Sequence, residues 1–213
     1  MRPPRALASI RATFPSTVVA DAVLAAAWLA LVIDGVRLGV RERRARRTLG
    51  PVVAGRASPP AWMRAALALA LLGGVVTLER MAGRWTFRPG LALAGLALAA
   101  AGVALHTWAR RALGPYWNPT VTVRAGHALV ERGPYAVVRH PLYLGAWLLV
   151  VGTLAAHPSP ATACVVVGVT AGTALKIGRE EALLRRTFGD DWARYAGRVP
   201  AIVPRLTGGG TPR

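Results

Sequence analysis

The sequence predicts an all-α integral membrane helical bundle of about five transmembrane helices, and three observations carry that reading. Of its 213 residues, 54% are hydrophobic and the mean hydropathy is +0.39, too apolar for an ordinary soluble domain of this length. Five apolar stretches recur at lengths that cross, or nearly cross, a hydrocarbon layer of about 30 Å. The formal charge of +18 comes almost wholly from arginine, and it gathers between the apolar stretches.

Residues 1–16 carry Arg2, Arg5 and Arg11 among prolines. No small-residue cleavage site plainly follows the first apolar run, 18–38, which reads as a retained helix rather than a removed signal peptide. Asp21 and Asp34 lie near its two ends, where a carboxylate costs less, and suit structural roles such as pairing with Arg37. The second run is 61–78 and the third 91–108, whose end bears the interfacial pair His106 and Trp108. The fourth, 142–156, is short against the usual count of about 20 residues, and His157-Pro158-Ser159-Pro160 supplies a turn into the fifth, 161–177. The single cysteine, Cys164, reads as a small buried hydrophobe and excludes an intrachain disulfide. Lys176, Glu180, Leu183, Leu184 and Phe188 continue the helical spacing beyond the membrane until Gly189 offers a stop. No histidines and carboxylates stand at helical metal spacing, so no metal is expected.

Charge fixes the expected orientation. The first loop holds Arg37, Arg41, Arg43, Arg44, Arg46, Arg47 and Arg56, the third holds Arg110, Arg111, Arg124, Arg132 and Arg139, and the tail is basic. These segments are expected to be cytoplasmic, with the amino terminus outside and the carboxyl terminus inside. Arginines so placed orient a membrane protein, and without an interleaved aromatic platform they argue against nucleic acid.

The connection 113–139 is long for a helical bundle. Tyr116, Trp117, Val121, Val123, Leu129, Val130, Tyr135, Val137 and Val138 are too apolar for disorder, while Pro115, Pro119 and Pro134 forbid one continuous helix. It is expected to fold back on the cytoplasmic face. Pro141 suits a first helical position, leaving the free amides of the next turn as an anion-attracting end bordered by Arg139 and His140. Glu180, near the membrane boundary, is the better functional carboxylate; Glu181 precedes Arg185 by four residues and reads as half of an ordinary surface ion pair.

Four pieces then resemble the isoprenylcysteine carboxyl methyltransferase and phospholipid N-methyltransferase superfamily of integral membrane enzymes. They are His127-Ala128-Leu129-Val130; Gly133-Pro134-Tyr135 with Arg139-His140-Pro141-Leu142-Tyr143-Leu144-Gly145; Glu180-Glu181-Ala182-Leu183-Leu184; and Phe188-Gly189-Asp190-Asp191-Trp192 with Tyr195 and Val199-Pro200. The resemblance implies S-adenosylmethionine as methyl donor and a lipophilic or lipid-linked substrate that arrives laterally from the bilayer. It implies backbone contacts from His127, Ala128, Leu129 and Val130, packing from Tyr135, a main cradle of His140, Pro141, Leu142 and Tyr143, and a hydrogen bond accepted by Glu180. Lys176 stands where the eukaryotic carboxyl methyltransferases carry a substrate-holding arginine, one turn before the matched glutamate; with Arg139 it is the catalytic candidate. A lysine neutralises a carboxylate but lacks the planar fork that clamps one.

The chain reads as one domain: 1–104 supplies the amino-terminal, substrate-side spans, 105–206 the cofactor-binding half, and 207–213 a frayed tail. Five spans suffice for a monomer. The competing readings are an NADPH-dependent membrane reductase of the sterol reductase type and a non-enzymatic membrane scaffold.

Overall fold

Glycines, not large side chains, set the centre of this fold. The computed structural model describes residues 18–34, 36–37, 40, 52–55, 74–76, 78–79, 81–82, 88–117, 122–124 and 128–204. Its principal helices are α1 over 18–34, α2 over Pro89–Leu113, α3 over Pro141–Ala156 and α4 over Pro160–Arg198. Short 3-10 turns stand at Gly114–Tyr116 and Gly133–Ala136.

Prolines open α2, α3 and α4, where the missing amide hydrogen costs nothing. Ser159 adds a capping box to α4: its hydroxyl accepts from the Thr162 amide, and the Thr162 side chain takes the Ser159 amide.

α2 and α3 run antiparallel and meet backbone to backbone. Gly95 and Gly102 lie two turns apart on α2, as Gly145 and Gly152 do on α3, so each pair shares one helix face. A methyl group at Gly102 would lie 2.5 Å from the Gly145 carbonyl oxygen, and one at Gly152 would lie 2.5 Å from that of Gly95. Helix α1 packs across this pair through Leu24, which clusters with Ala99, Leu149 and Ala156. Trp28 Nε1 donates to Thr153 Oγ1 at 3.3 Å, and His157 Nε2 meets Asp21 Oδ1 at 2.8 Å, pinning α1 to the turn between α3 and α4. Asp21 thus has the structural role expected of it, with His157 as partner.

α2 and α4 are long and apolar enough to cross a membrane; α3, at 16 residues, is a shorter apolar helix. The apolar runs 91–108, 142–156 and 161–177 fall within α2, α3 and α4, while most of 61–78 lies outside the described residues.

Three features differ from, or add to, the sequence reading. Strand β1, Val52–Gly55, pairs antiparallel with β2, Thr122–Arg124, so the all-helical expectation omits a small sheet. Its β-branched segments suit extended backbone, and the pairing brings the first and third basic loops together. Cys164 is exposed rather than buried, because α4 has little protein cover along its apolar length. Gly189, at φ 50°, does break α4 as expected, but a further helical segment follows it to Arg198.

Candidate functional site

The site forms where the chain enters α3. Gly133, at φ 62°, opens the 3-10 turn that buries Pro134 and Tyr135. The Tyr195 hydroxyl donates to the Tyr135 carbonyl at 2.7 Å, clamping this turn to the last helical segment. The amides of Arg139 and His140 then donate to the carbonyls of Pro200 and Ala201 at 2.8 and 3.0 Å, holding residues 139–140 against 200–201. Pro141 follows and α3 begins. Among the described residues no side chain caps this helix end, which leaves its first-turn amides and the positive end of its dipole without a side-chain acceptor there.

Across from that end stand two adjacent carboxylates with different tasks. Residues one apart on a helix point about 100° apart, so Glu180 and Glu181 address different neighbours. Glu181 Oε1 accepts from Arg139 Nε at 3.0 Å, from Arg139 NH2 at 2.8 Å and from His140 Nε2 at 3.0 Å. Because a carboxylate only accepts, the hydrogen of this His140 contact belongs to Nε2. Arg139 NH1 donates to the carbonyls of Ala196 and Val199 at 2.8 and 2.6 Å. Glu180 Oε2 accepts instead from the Tyr143 hydroxyl at 2.6 Å. Lys176 Nζ lies 5.1 Å from the centre of the Tyr143 ring, and the His140 imidazole lies 5.7 Å from it.

Burial and charge set the electrostatics. Partial burial opposes ionisation of Glu181, but the His140 and Arg139 hydrogen bonds outweigh it and hold the carboxyl below its ordinary value. Burial pushes the Tyr135 and Tyr195 phenols upward, aided by the negative charges of Glu180 and Glu131 respectively, so both remain neutral.

Behind the polar cluster, Trp192, Tyr195 and Val199 form a second apolar core against Leu129, Leu184 and Phe188. The Arg139 guanidinium lies over the Trp192 ring at 5.8 Å. From α2, His106 Nδ1 donates to the Leu142 carbonyl at 3.1 Å and steadies the first turn of α3.

The structure therefore brings together Tyr135, Arg139, His140, Pro141, Leu142, Tyr143, Lys176 and Glu180. Ala128, Leu129 and Val130 are irregular chain, of which Leu129 packs against the Trp192 cluster. His127 lies outside the described residues. The residue that sequence reasoning misjudged is Glu181, which addresses Arg139 and His140, 42 and 41 residues away in sequence, rather than the neighbouring turn. The available signal was the arginine and histidine at the start of α3, which need a buried counter-charge.

Comparison with known proteins sets this geometry in context. The model of the isoprenylcysteine carboxyl methyltransferase (ICMT) family matches residues 95–186. Protein-S-isoprenylcysteine O-methyltransferase B of Arabidopsis thaliana is 41% identical over 80 residues, 37% of this chain and 40% of the relative. The cobalt-zinc-cadmium resistance protein CzcN of Cupriavidus metallidurans is 34% identical over 113 residues, 53% of this chain and 50% of the relative. The chain thus spans about half the length, or less, of these curated relatives. The solved structure of the eukaryotic intramembrane Ras methyltransferase ICMT shares the fold at a TM-score of 0.55 with 23% identity, covering 67% of this chain and 53% of the other. Family model and curated relatives agree that the segment building this site is similar to the ICMT family, and the solved structure shares its fold.

Proposed function

We propose that this protein is an S-adenosylmethionine-dependent methyltransferase acting on a lipophilic acceptor, an isoprenylcysteine carboxylate or a comparable lipid, at the cytoplasmic membrane face. One observation carries the reading: within the family-matched segment, an uncapped helix start and the carboxylate of Glu180 converge from opposite sides on one place.

The donor set fits the cofactor. S-adenosylmethionine bears a carboxylate, an ammonium, a sulfonium and a ribose, and so needs both signs of charge beside water. The first-turn amides of α3 suit the carboxylate. Glu180 uses one oxygen for Tyr143 and has its second available for a hydroxyl or ammonium. Tyr135 and the stretch His127 to Val130 would line the pocket. When bound, the cofactor supplies an electrophilic methyl group on sulfur.

What remains for the protein is alignment and exclusion of water. Holding acceptor and donor in line in a dry pocket supplies several kcal/mol, on the order of the effects measured for oriented intramolecular reactions. A carboxylate acceptor is already ionised at neutral pH and needs no base. Lys176, beside Tyr143 and one turn from Glu180, would then neutralise the acceptor's charge and draw it to the site. Arg139, engaged by Glu181 and two carbonyls, acts as a positioning residue that fixes the cradle.

The test is incubation of membranes containing the protein with isotopically labelled S-adenosylmethionine, followed by mass spectrometry of the lipid phase. A labelled lipid product, absent with Glu180→Ala, is expected. Purified protein that binds NADPH and ignores S-adenosylmethionine would overturn the reading in favour of a reductase.

A further inference from the structure

Pairing inside the site leaves one face of α4 with uncompensated charge. Beyond the apolar stretch 161–177 the helix carries Arg179, Arg185 and Arg186, all exposed. None of the three makes a hydrogen bond or ion pair with a described residue. The carboxylates that helical spacing offers them are committed elsewhere or out of line. Glu181, four residues before Arg185, accepts from Arg139 and His140, and Glu180 accepts from Tyr143. Asp190, four residues after Arg186, stands beyond the break at Gly189.

Helix geometry gives this charge a direction. Leu175, Arg179, Ala182 and Arg186 follow at intervals of four, three and four, so they share one face, while Glu180 and Glu181 turn from it toward α3. Upstream, the same face runs through Gly168 and Gly172 to Leu175, which is 66% exposed, along the part of α4 apolar enough to cross a membrane. The stripe therefore passes from apolar to cationic without changing direction. Leu175 to Arg179 is about 6 Å at the helical rise, roughly the depth of one head-group layer. Arg186 lies two turns further on, and its long side chain can reach back toward the membrane surface.

We propose that this face binds the phosphates of anionic phospholipids in the leaflet on the site's side. Arg179 lies in the head-group layer, and Arg185 and Arg186 lie at its water edge. Charge complementarity, together with the unbroken continuation of the apolar stripe, selects a membrane surface over a soluble acidic partner. A guanidinium meets a phosphate through two parallel hydrogen bonds, and an anionic lipid brings no ammonium of its own to compete. Lipid on one face of α4 and the Glu181 cluster on the other then hold the helix between them.

The test uses the full chain in nanodiscs, with Cys164→Ser and a fluorophore on Ala182→Cys, between the two arginines of the stripe. Quenching is titrated with phosphatidylglycerol or phosphatidylcholine, each bearing a nitroxide high on one acyl chain. At roughly fivefold per basic residue near an anionic surface, phosphatidylglycerol should be favoured by about tenfold or more. The preference should fall toward unity in Arg179→Gln/Arg186→Gln, survive in Arg179→Lys/Arg186→Lys, and shrink as salt shortens the screening length. An unchanged melting temperature certifies each variant's fold. Equal quenching of the wild type by the two lipids would overturn the proposal. A preference retained in the glutamine variant would do so too, because other arginines would then be its source. So would quenching by neither lipid, which would leave the face to an acidic protein, or loss of the preference when inorganic phosphate replaces chloride at equal ionic strength, which would make it a site for a free anion. No arm of the test involves S-adenosylmethionine, so the result stands apart from the methyltransferase reading.

Discussion

Replacing Glu181 by glutamine tests what holds the carboxyl-terminal segment against the start of α3. One carboxylate oxygen receives three donors, two from Arg139 and one from His140, at 2.8 to 3.0 Å. Glu181→Gln keeps a carbonyl acceptor there but removes the charge, and charge-assisted bonds are roughly twice as strong as neutral ones. At about 0.5 to 1 kcal/mol lost per bond, reduced because the Glu181 side chain is 21% exposed, the change costs about 2 kcal/mol. Arg139 would retain its bonds to Ala196 and Val199, so the segment should loosen without global unfolding. The reporters are the Arg139 and His140 amides, which donate to Pro200 and Ala201. Hydrogen exchange in nanodiscs should show their protection falling by about 30-fold, the equivalent of 2 kcal/mol. The sign of the pH dependence follows from the lowered Glu181 value: the contribution is complete above the ordinary carboxylate range and disappears as pH falls through the depressed folded value. Wild type should therefore loosen on acidification below about pH 4, whereas Glu181→Gln should not respond there. Equal protection at residues 139 and 140 in the two proteins would refute the argument.

Three further outcomes are expected. Gly102→Leu forces a side chain onto backbone atoms at 2.5 and 2.7 Å, so thermal unfolding in detergent should register a loss of about 3 kcal/mol or more, while Gly168→Ala, which meets nothing within 4 Å, should melt like wild type. Glu180→Ala should weaken S-adenosylmethionine binding by about tenfold in calorimetry with little change in melting temperature, since among the described residues it leaves behind the Tyr143 hydroxyl, whose side chain is within reach of water. Lys176→Ala should raise KM for an acidic acceptor by about tenfold at unchanged cofactor affinity, and unchanged acceptor kinetics would remove Lys176 from the substrate path.

Much of this architecture is legible in the sequence because it rests on local rules. Pro141 begins α3, the 157–160 stretch turns into α4, and Gly189 interrupts α4, each from the backbone chemistry of one residue type. The meeting of Arg139 and His140 with α4 was anticipated in kind, since a charged pair at a helix start needs an opposite charge. Preferring Glu180 to Glu181 as the carboxylate of interest rests on its place near the membrane boundary and on the four-residue spacing of Glu181 to Arg185, neither of which says which side of α4 turns inward. That depends on helix rotation, which an almost uniformly apolar span does not encode, and the two residues divide the work. The glycine seam was legible in principle from two pairs at seven-residue spacing, yet spacing alone does not say which helices meet. Strand pairing between 52–55 and 122–124 spans too long a sequence separation for any local signal.

The interlocked backbones of α2 and α3 have a mechanical consequence. With carbonyl oxygens seated where methyl groups would otherwise stand, neither helix slides or rolls without collision, and the pair behaves as a stiff keel. Beyond the turn that joins them, helix α4 is tethered to that keel by side chains at Trp147 to Thr170, Tyr143 to Glu180 and the Glu181 cluster, and by the backbone bonds of residues 139 and 140 to 200 and 201. Relative motion at the site is therefore expected of α4 on those tethers, with the keel as the fixed reference against which it moves.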